Sequence, residues 1–182
     1  MKYRFTIMFF FSLSVMISSC KEGLQQNDNS EISKDKALHL SSEEGIEWHV
    51  LGSRITGKVL SDHSNGKYAV IITETPPNGG PPKHIHTRED ELFYVVKGRY
   101  EFTCGDEVII AEQGDMVHLP KGKPHSFKNI DTITGTTMNT ITPGGFENFF
   151  AEISSLSKRK LLGKPQIDSL AVVYGIEFLK AD

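Results

Sequence analysis

The chain has 182 residues, of which 38% are hydrophobic and 24% charged, with a net charge of −3 at pH 7. That length suits one domain with accessory segments, and the near-balanced charge, with no basic patch interleaved with aromatics, argues against a nucleic-acid partner. Cys20 and Cys104 are its two cysteines, too few for a disulfide framework.

The first nineteen residues read as a secretory signal. Lys2 and Arg4 precede an apolar run from Phe5 to Ile17, interrupted by Thr6, Ser12 and Ser14, and too short to span a bilayer comfortably. Ile17-Ser18-Ser19-Cys20 resembles the bacterial lipoprotein box, which makes Cys20 the expected site of lipidation and the first mature residue. Several acyl chains on one residue would anchor the chain stably, where a single chain would not. The expected address is therefore the cell envelope of a bacterium, on the periplasmic or outer-membrane side. Removing residues 1–19 takes away Lys2 and Arg4 and shifts the net charge from −3 to −5. Residues 20–45 are mostly polar and read as a flexible tether behind the lipidated cysteine.

From Trp48 onward short apolar runs alternate with turn signals. Strands are expected over Arg54 to Leu60, Lys67 to Thr75, Glu91 to Val96, Tyr100 to Thr103, Glu107 to Ala111, Met116 to Leu119 and Thr136 to Ile141. Pro76 to Pro82 cannot be helical, Gly105-Asp106 marks a hairpin, and Pro120 to Pro124 is a further tight turn. Many short, evenly spaced strands predict an all-β barrel or sandwich over residues 46–145. Residues 146–182 form a C-terminal extension, with apolar residues at helical intervals from Phe146 to Ile153, a second helix over Gln166 to Val173, and an extended end from Tyr174 to Leu179.

Chemistry concentrates in His84-Ile85-His86. In a strand alternate side chains share a face, so both imidazoles point the same way. Two histidines on one face are hard to explain by packing and easy to explain by a metal. Glu91 follows after four residues and Gly98 after six more; Gly114, Pro120, Gly122, His125 and Asn129 then complete a second cluster. By strand parity Phe93 and Val95 share a face with Glu91, and Phe127 with His125, so these three are candidates to line a pocket around the metal. Cys104 reads as a small buried hydrophobe. His49, His63 and His118 lack a partner at ligand spacing and read as surface or core residues. Arg88 and Asp90 read as solvated charges, and Asp115 as a turn residue.

These two clusters resemble, nearly position by position, the two motifs of the cupin superfamily. One position departs: Asn78 stands where the leading glycine of the first motif is expected, and asparagine also tolerates positive φ. The resemblance covers roughly residues 68–130. It implies a small antiparallel β-barrel or jelly roll with a metal inside one end, held by His84, His86, Glu91 and His125. Imidazoles with one carboxylate suit a divalent transition metal, Fe, Mn, Ni, Cu or Zn, and protein ligands that leave positions free point to a catalytic site. Gly79-Gly80-Pro81-Pro82, Thr142-Pro143-Gly144-Gly145-Phe146-Glu147 and Tyr174-Gly175-Ile176-Glu177-Phe178 resemble single-domain bacterial cupins of the quercetin dioxygenase-like group. That resemblance implies a dioxygenase of a small aromatic or enol substrate, with Glu91 as the catalytic proton acceptor, and a homodimer as the expected assembly. A metal-dependent sugar or keto-acid isomerase or epimerase, and a small-molecule-binding barrel without turnover, are the alternatives that the same residues leave open.

Overall fold

The structure, a computed structural model, describes residues 37–180. The signal segment, Cys20 and most of the tether lie outside the described residues. Eleven strands and three helices follow in the described chain: β1 Ile46–Val50, β2 Ser53–Val59, α1 Ser61–Ser64, β3 Ala69–Thr75, β4 His84–His86, β5 Asp90–Lys97, β6 Arg99–Cys104, β7 Glu107–Glu112, β8 Met116–Leu119, β9 His125–Asn129, β10 Gly135–Thr142, α2 Glu147–Lys158, α3 Lys164–Tyr174 and β11 Ile176–Phe178.

The strands form two antiparallel sheets. One has the order β1-β2-β3-β10-β5-β8, the other β11-β4-β9-β6-β7. Alternation writes their faces: in β3, Ala69, Ile71, Thr73 and Thr75 are buried while the residues between them are partly exposed. The inward residues of both sheets make a jelly-roll interior, the all-β fold expected from the strand spacing. Connections follow the turn chemistry. Gly105 takes a φ of 61° between β6 and β7, and Asn78 takes 61° in the Pro76–Pro82 turn, as its tolerance of that region allows.

That turn is pinned to the end of β9. The Asn78 amide donates to the Asn129 carbonyl at 2.8 Å, and the Asn129 amide donates to Gly79 at 2.9 Å. The Asn129 side chain, fully buried, donates to the carbonyls of Thr75 and Ile133 and accepts from the Asp131 amide. Its work is structural: it ties β3, β9 and the loop after β9 into one corner. Gly80 sits where a Cβ would come within 2.0 Å of the Phe127 carbonyl oxygen, at a φ of 150° that side chains rarely adopt. Gly80→Ala is expected to destabilise the barrel by about 3 kcal/mol, because overpacking and backbone strain each cost about 1–3 kcal/mol. Urea unfolding beside Gly105→Ala, whose added methyl meets open space, measures the steric part of that loss.

The interior divides into two apolar clusters. Phe93, Val95, Tyr100, Phe102, Ala111, Val117 and Leu119 fill one end, with Cys104 and Phe127 packed against them. Trp48, Ile55, Ile71 and Ile141 meet Phe146 just before α2, Phe149 and Ile153 of α2, and Leu170 and Ala171 of α3 at the other. The C-terminal extension is therefore not only helical. It covers the barrel with two helices and returns β11 to the sheet, pairing Ile176 with His86 and Phe178 with His84. Glu147, the first residue of α2, is buried, and its carboxylate accepts the amides of Ser61 and Gly145, each at 2.7 Å. A negative charge at a helix N-terminus is favourable, and here it also fixes α2 to the one-turn helix α1, which the sequence pattern did not announce.

Candidate metal centre

Strand geometry delivers the site. His84 and His86 are both buried on β4, with Ile85 turned outward. His84 lies directly across from His125 on β9, and Glu91 reaches in from β5 of the facing sheet. One potential ligand atom from each of His84, His86, Glu91 and His125 lies within 4.8 Å of all the others. The four residues expected to act together are thus brought together, in the interior and at the end of the barrel that α2 covers.

Hydrogen bonds settle which ring nitrogens face the centre. His84 donates from Nδ1 to the Pro82 carbonyl at 2.8 Å, and His125 from Nδ1 to the Lys123 carbonyl at 2.9 Å. Carbonyls only accept, so both Nδ1 atoms carry the proton and both Nε2 atoms present lone pairs. His125 Nε2 stands 3.3 Å from Glu91 Oε2 and has no hydrogen-bond donor near it. His86 Nε2 lies 3.7 Å from the same oxygen. The lone pairs of His84 and His125 converge with a carboxylate and a third imidazole, which is the environment a cation balances. The donor set fits a divalent transition metal on this ground.

Electrostatics agree. Burial alone would push the Glu91 carboxyl up, but the neighbouring imidazoles, His86 foremost, outweigh burial and hold it down at about 2. Burial lowers His84 to about 4, so that it is neutral at pH 7, the form with a lone pair to give. Burial also pulls His86 down, yet Glu91 and Glu89 together outweigh it and raise its pKa.

Glu89 is the residue that sequence reading missed. It is buried, and its Oε2 lies 3.5 Å from His86 Nδ1, with neither atom offered another partner. A carboxylate three residues after a histidine is too common a pattern to single out. Its neighbours behave differently. Arg88 donates to the Val173 carbonyl at the end of α3, and Asp90 accepts the Lys121 amide, so both tie loops together rather than standing free in solvent. His49 and His118 are exposed, and His63 caps α1 by accepting the Leu60 amide.

A cavity of about 140 Å³ adjoins the centre. His84, His86, Glu91 and Phe127 line it together with Phe146 at the N-terminus of α2, Phe149 and Phe150 within α2, and Phe178 of β11. Phe93 and Val95 do not. Their parity is as expected, facing inward with Glu91, but they lie farther along β5, in the apolar cluster that closes the opposite end. Parity assigns a face, and it does not say how far the open space extends along it. The aromatic wall comes instead from the C-terminal extension, where Phe146 meets His86 edge-on at 4.2 Å.

Fold and centre together define a double-sheet β-barrel with a buried three-histidine, one-glutamate cluster at its covered end. Residues 71–137 match the sequence model of the Cupin domain, and His84, His86, Glu91 and His125 of the candidate metal centre all lie within the matched stretch. Among curated proteins it is similar to the quercetin 2,3-dioxygenase of Bacillus subtilis, 27% identical over 88 residues, which are 48% of this chain and 26% of that enzyme. The chain thus spans about a quarter of the length of that relative. Among solved structures it is similar to KdgF from Halomonas sp. (TM-score 0.56, 16% identity, 62% of this chain and 99% of that one). It is also similar to an RmlC-like cupin from Shewanella frigidimarina (TM-score 0.51, 17% identity, 59% and 93%). These likenesses concern the fold.

Proposed function

We propose that the protein is a metal-dependent oxygenase acting on a small enol or phenol. The observation that carries this reading is the convergence of unprotonated imidazole nitrogens and an ionised carboxylate beside an apolar, aromatic-walled cavity. The local similarity to a quercetin dioxygenase supports it. Such pockets suit substrates that combine a flat apolar body with a few polar atoms.

His84, His86, Glu91 and His125 would hold one divalent transition metal, which would supply Lewis-acid polarisation of an enol or phenol oxygen and, with a redox metal, reactivity toward O₂. The protein's own residues do the rest. Glu91, ionised and beside the centre, accepts the proton that an enol or phenol releases. Phe127, Phe146 and Phe149 exclude water and hold the substrate's ring. The carbonyls of Pro82 and Lys123 keep His84 and His125 in the tautomer that faces inward.

The test is oxygen consumption by protein loaded in turn with Fe, Ni, Mn and Cu, across a set of flavonols and catechols. Uptake that depends on both metal and substrate is expected. No uptake at full metal occupancy, or turnover of a sugar or keto acid that continues without O₂, would sink the reading, and the second result would reassign the site to isomerase chemistry.

A further inference from the structure

The cavity does not surround the centre evenly; it runs away from it in one direction. On its sheet side the lining passes from Glu91 on β5 to Asn139 on β10, Thr73 on β3, Ile55 on β2 and Val50 on β1. These strands are consecutive neighbours in one sheet. Four strand spacings of about 4.8 Å give a run of about 19 Å. On its other side α2 follows the same line. Phe146 touches His86, while Ser154 hydroxyl accepts the His49 amide at 3.2 Å and Phe150 packs on Trp48. The lining residues on this side extend from Phe146, which caps α2, to Ser157 in its last turn, about 16 Å at 1.5 Å per residue.

The two ends differ in chemistry. His84, His86 and Glu91 make the inner end polar and buried. At the far end the lining residues His49, Leu51 and Ser157 are exposed, so the cavity opens between the β1–β2 turn and the last turn of α2. Between them the walls are mostly apolar, with Asn139, the unpartnered Thr73 hydroxyl and Ser53 as the polar interruptions on the sheet side. About 140 Å³ drawn out along that line is a narrow space, the shape that an unbranched chain fills.

From this geometry we infer that the substrate is an elongated amphiphile: a chelating enol or phenol head seated at His84, His86 and Glu91, and an unbranched apolar tail lying along α2 toward the mouth. The inference rests on the site reading above and adds the class of molecule it takes. Tail length, rather than a second polar group, then sets affinity.

Binding of 4-alkylcatechols, from methyl to octyl, to the zinc-loaded full chain under argon tests this, with calorimetry supplying the dissociation constants. Trp48, the chain's one tryptophan, lies beside Phe150 and gives a second, fluorescent readout. Affinity should rise about three- to fourfold per methylene, then level off once the chain reaches the mouth. Ile153 lines the cavity midway along α2, away from the centre, and Ile153→Phe should erase that gradient while leaving methylcatechol within about twofold of wild type. Ser157→Phe, at an exposed position that tolerates change, should level the series off at a shorter chain and covers the case in which Ile153→Phe does not fold. Equal affinity along the whole series, or an unchanged gradient in both variants, overturns the inference. Since a catechol is not oxygenated on zinc under argon, binding is read apart from turnover: oxygen uptake with a flat gradient would reject the tail and keep the oxygenase, and a steep gradient without uptake in the oxygen assay would do the reverse.

Discussion

Glu91→Gln is expected to cut turnover by about 10²- to 10⁴-fold at saturating metal, the range for loss of a positioned proton acceptor. The substitution keeps size and shape, so the packing of β5 against β8 and β10 should survive. What changes is charge and proton affinity. The native carboxylate is held at about 2 by the imidazoles around it, and is therefore ionised throughout the working range. An amide cannot take the substrate's proton. Its NH₂ would also turn toward His125 Nε2, which stands 3.3 Å from Oε2 in the native protein, and occupy the lone pair that a metal needs. Metal affinity should thus fall as well, and the two effects separate by measuring metal content and turnover on the same sample. His84→Ala is the reference: it removes a ligand, and its metal content should drop toward background. Full activity in Glu91→Gln at full metal occupancy would take the proton-acceptor role away from Glu91.

Period-two alternation carried most of the barrel. His84 and His86 share a face, Glu91 leads an inward row, and both follow from spacing alone because each strand is buried on one side. The turns were legible for the same reason: Asn78, Gly80 and Gly105 stand where the backbone needs positive φ or close approach. The helical interval from Phe146 to Ile153 was equally clear, and α2 runs from Glu147 to Lys158.

Depth and distance were not legible. Phe93 and Val95 face the interior, yet whether an interior position is filled or open depends on what the opposite sheet brings, here Tyr100 and Phe102. The helix marked by Phe146, Phe149 and Phe150 could be read as amphipathic, but not as the wall of the site, because that depends on its docking over β1 and on the pairing of β11 with β4. Such contacts join residues far apart in the chain, and local pattern is blind to them. Glu89 is invisible for another reason. Its importance lies in being buried beside one ring nitrogen, a property of the loop's path after β4 and not of its composition.

That loop carries the second large expected effect. Glu89→Gln should weaken metal binding by about 10- to 100-fold, the usual consequence of removing the group that orients a ligating imidazole. His84 and His125 rest on backbone carbonyls, which no side-chain change removes. His86 has only the Glu89 carboxylate, 3.5 Å from Nδ1, and that atom has no other partner. A carboxylate is more basic than a carbonyl, so it makes His86 the stronger donor of the three and helps hold its Nε2 toward Glu91. Glutamine keeps the size but not the charge, and it can present its NH₂ to Nδ1 and favour the tautomer that faces the wrong way. Competition for zinc against a chelating dye measures the loss, and Glu89→Asp should recover part of it. A purely structural residue would instead lower the melting temperature of the metal-free protein. Glu89→Gln keeps the side chain's volume and should leave that temperature nearly unchanged. Zinc affinity within twofold of wild type would show that the carboxylate does not act through His86.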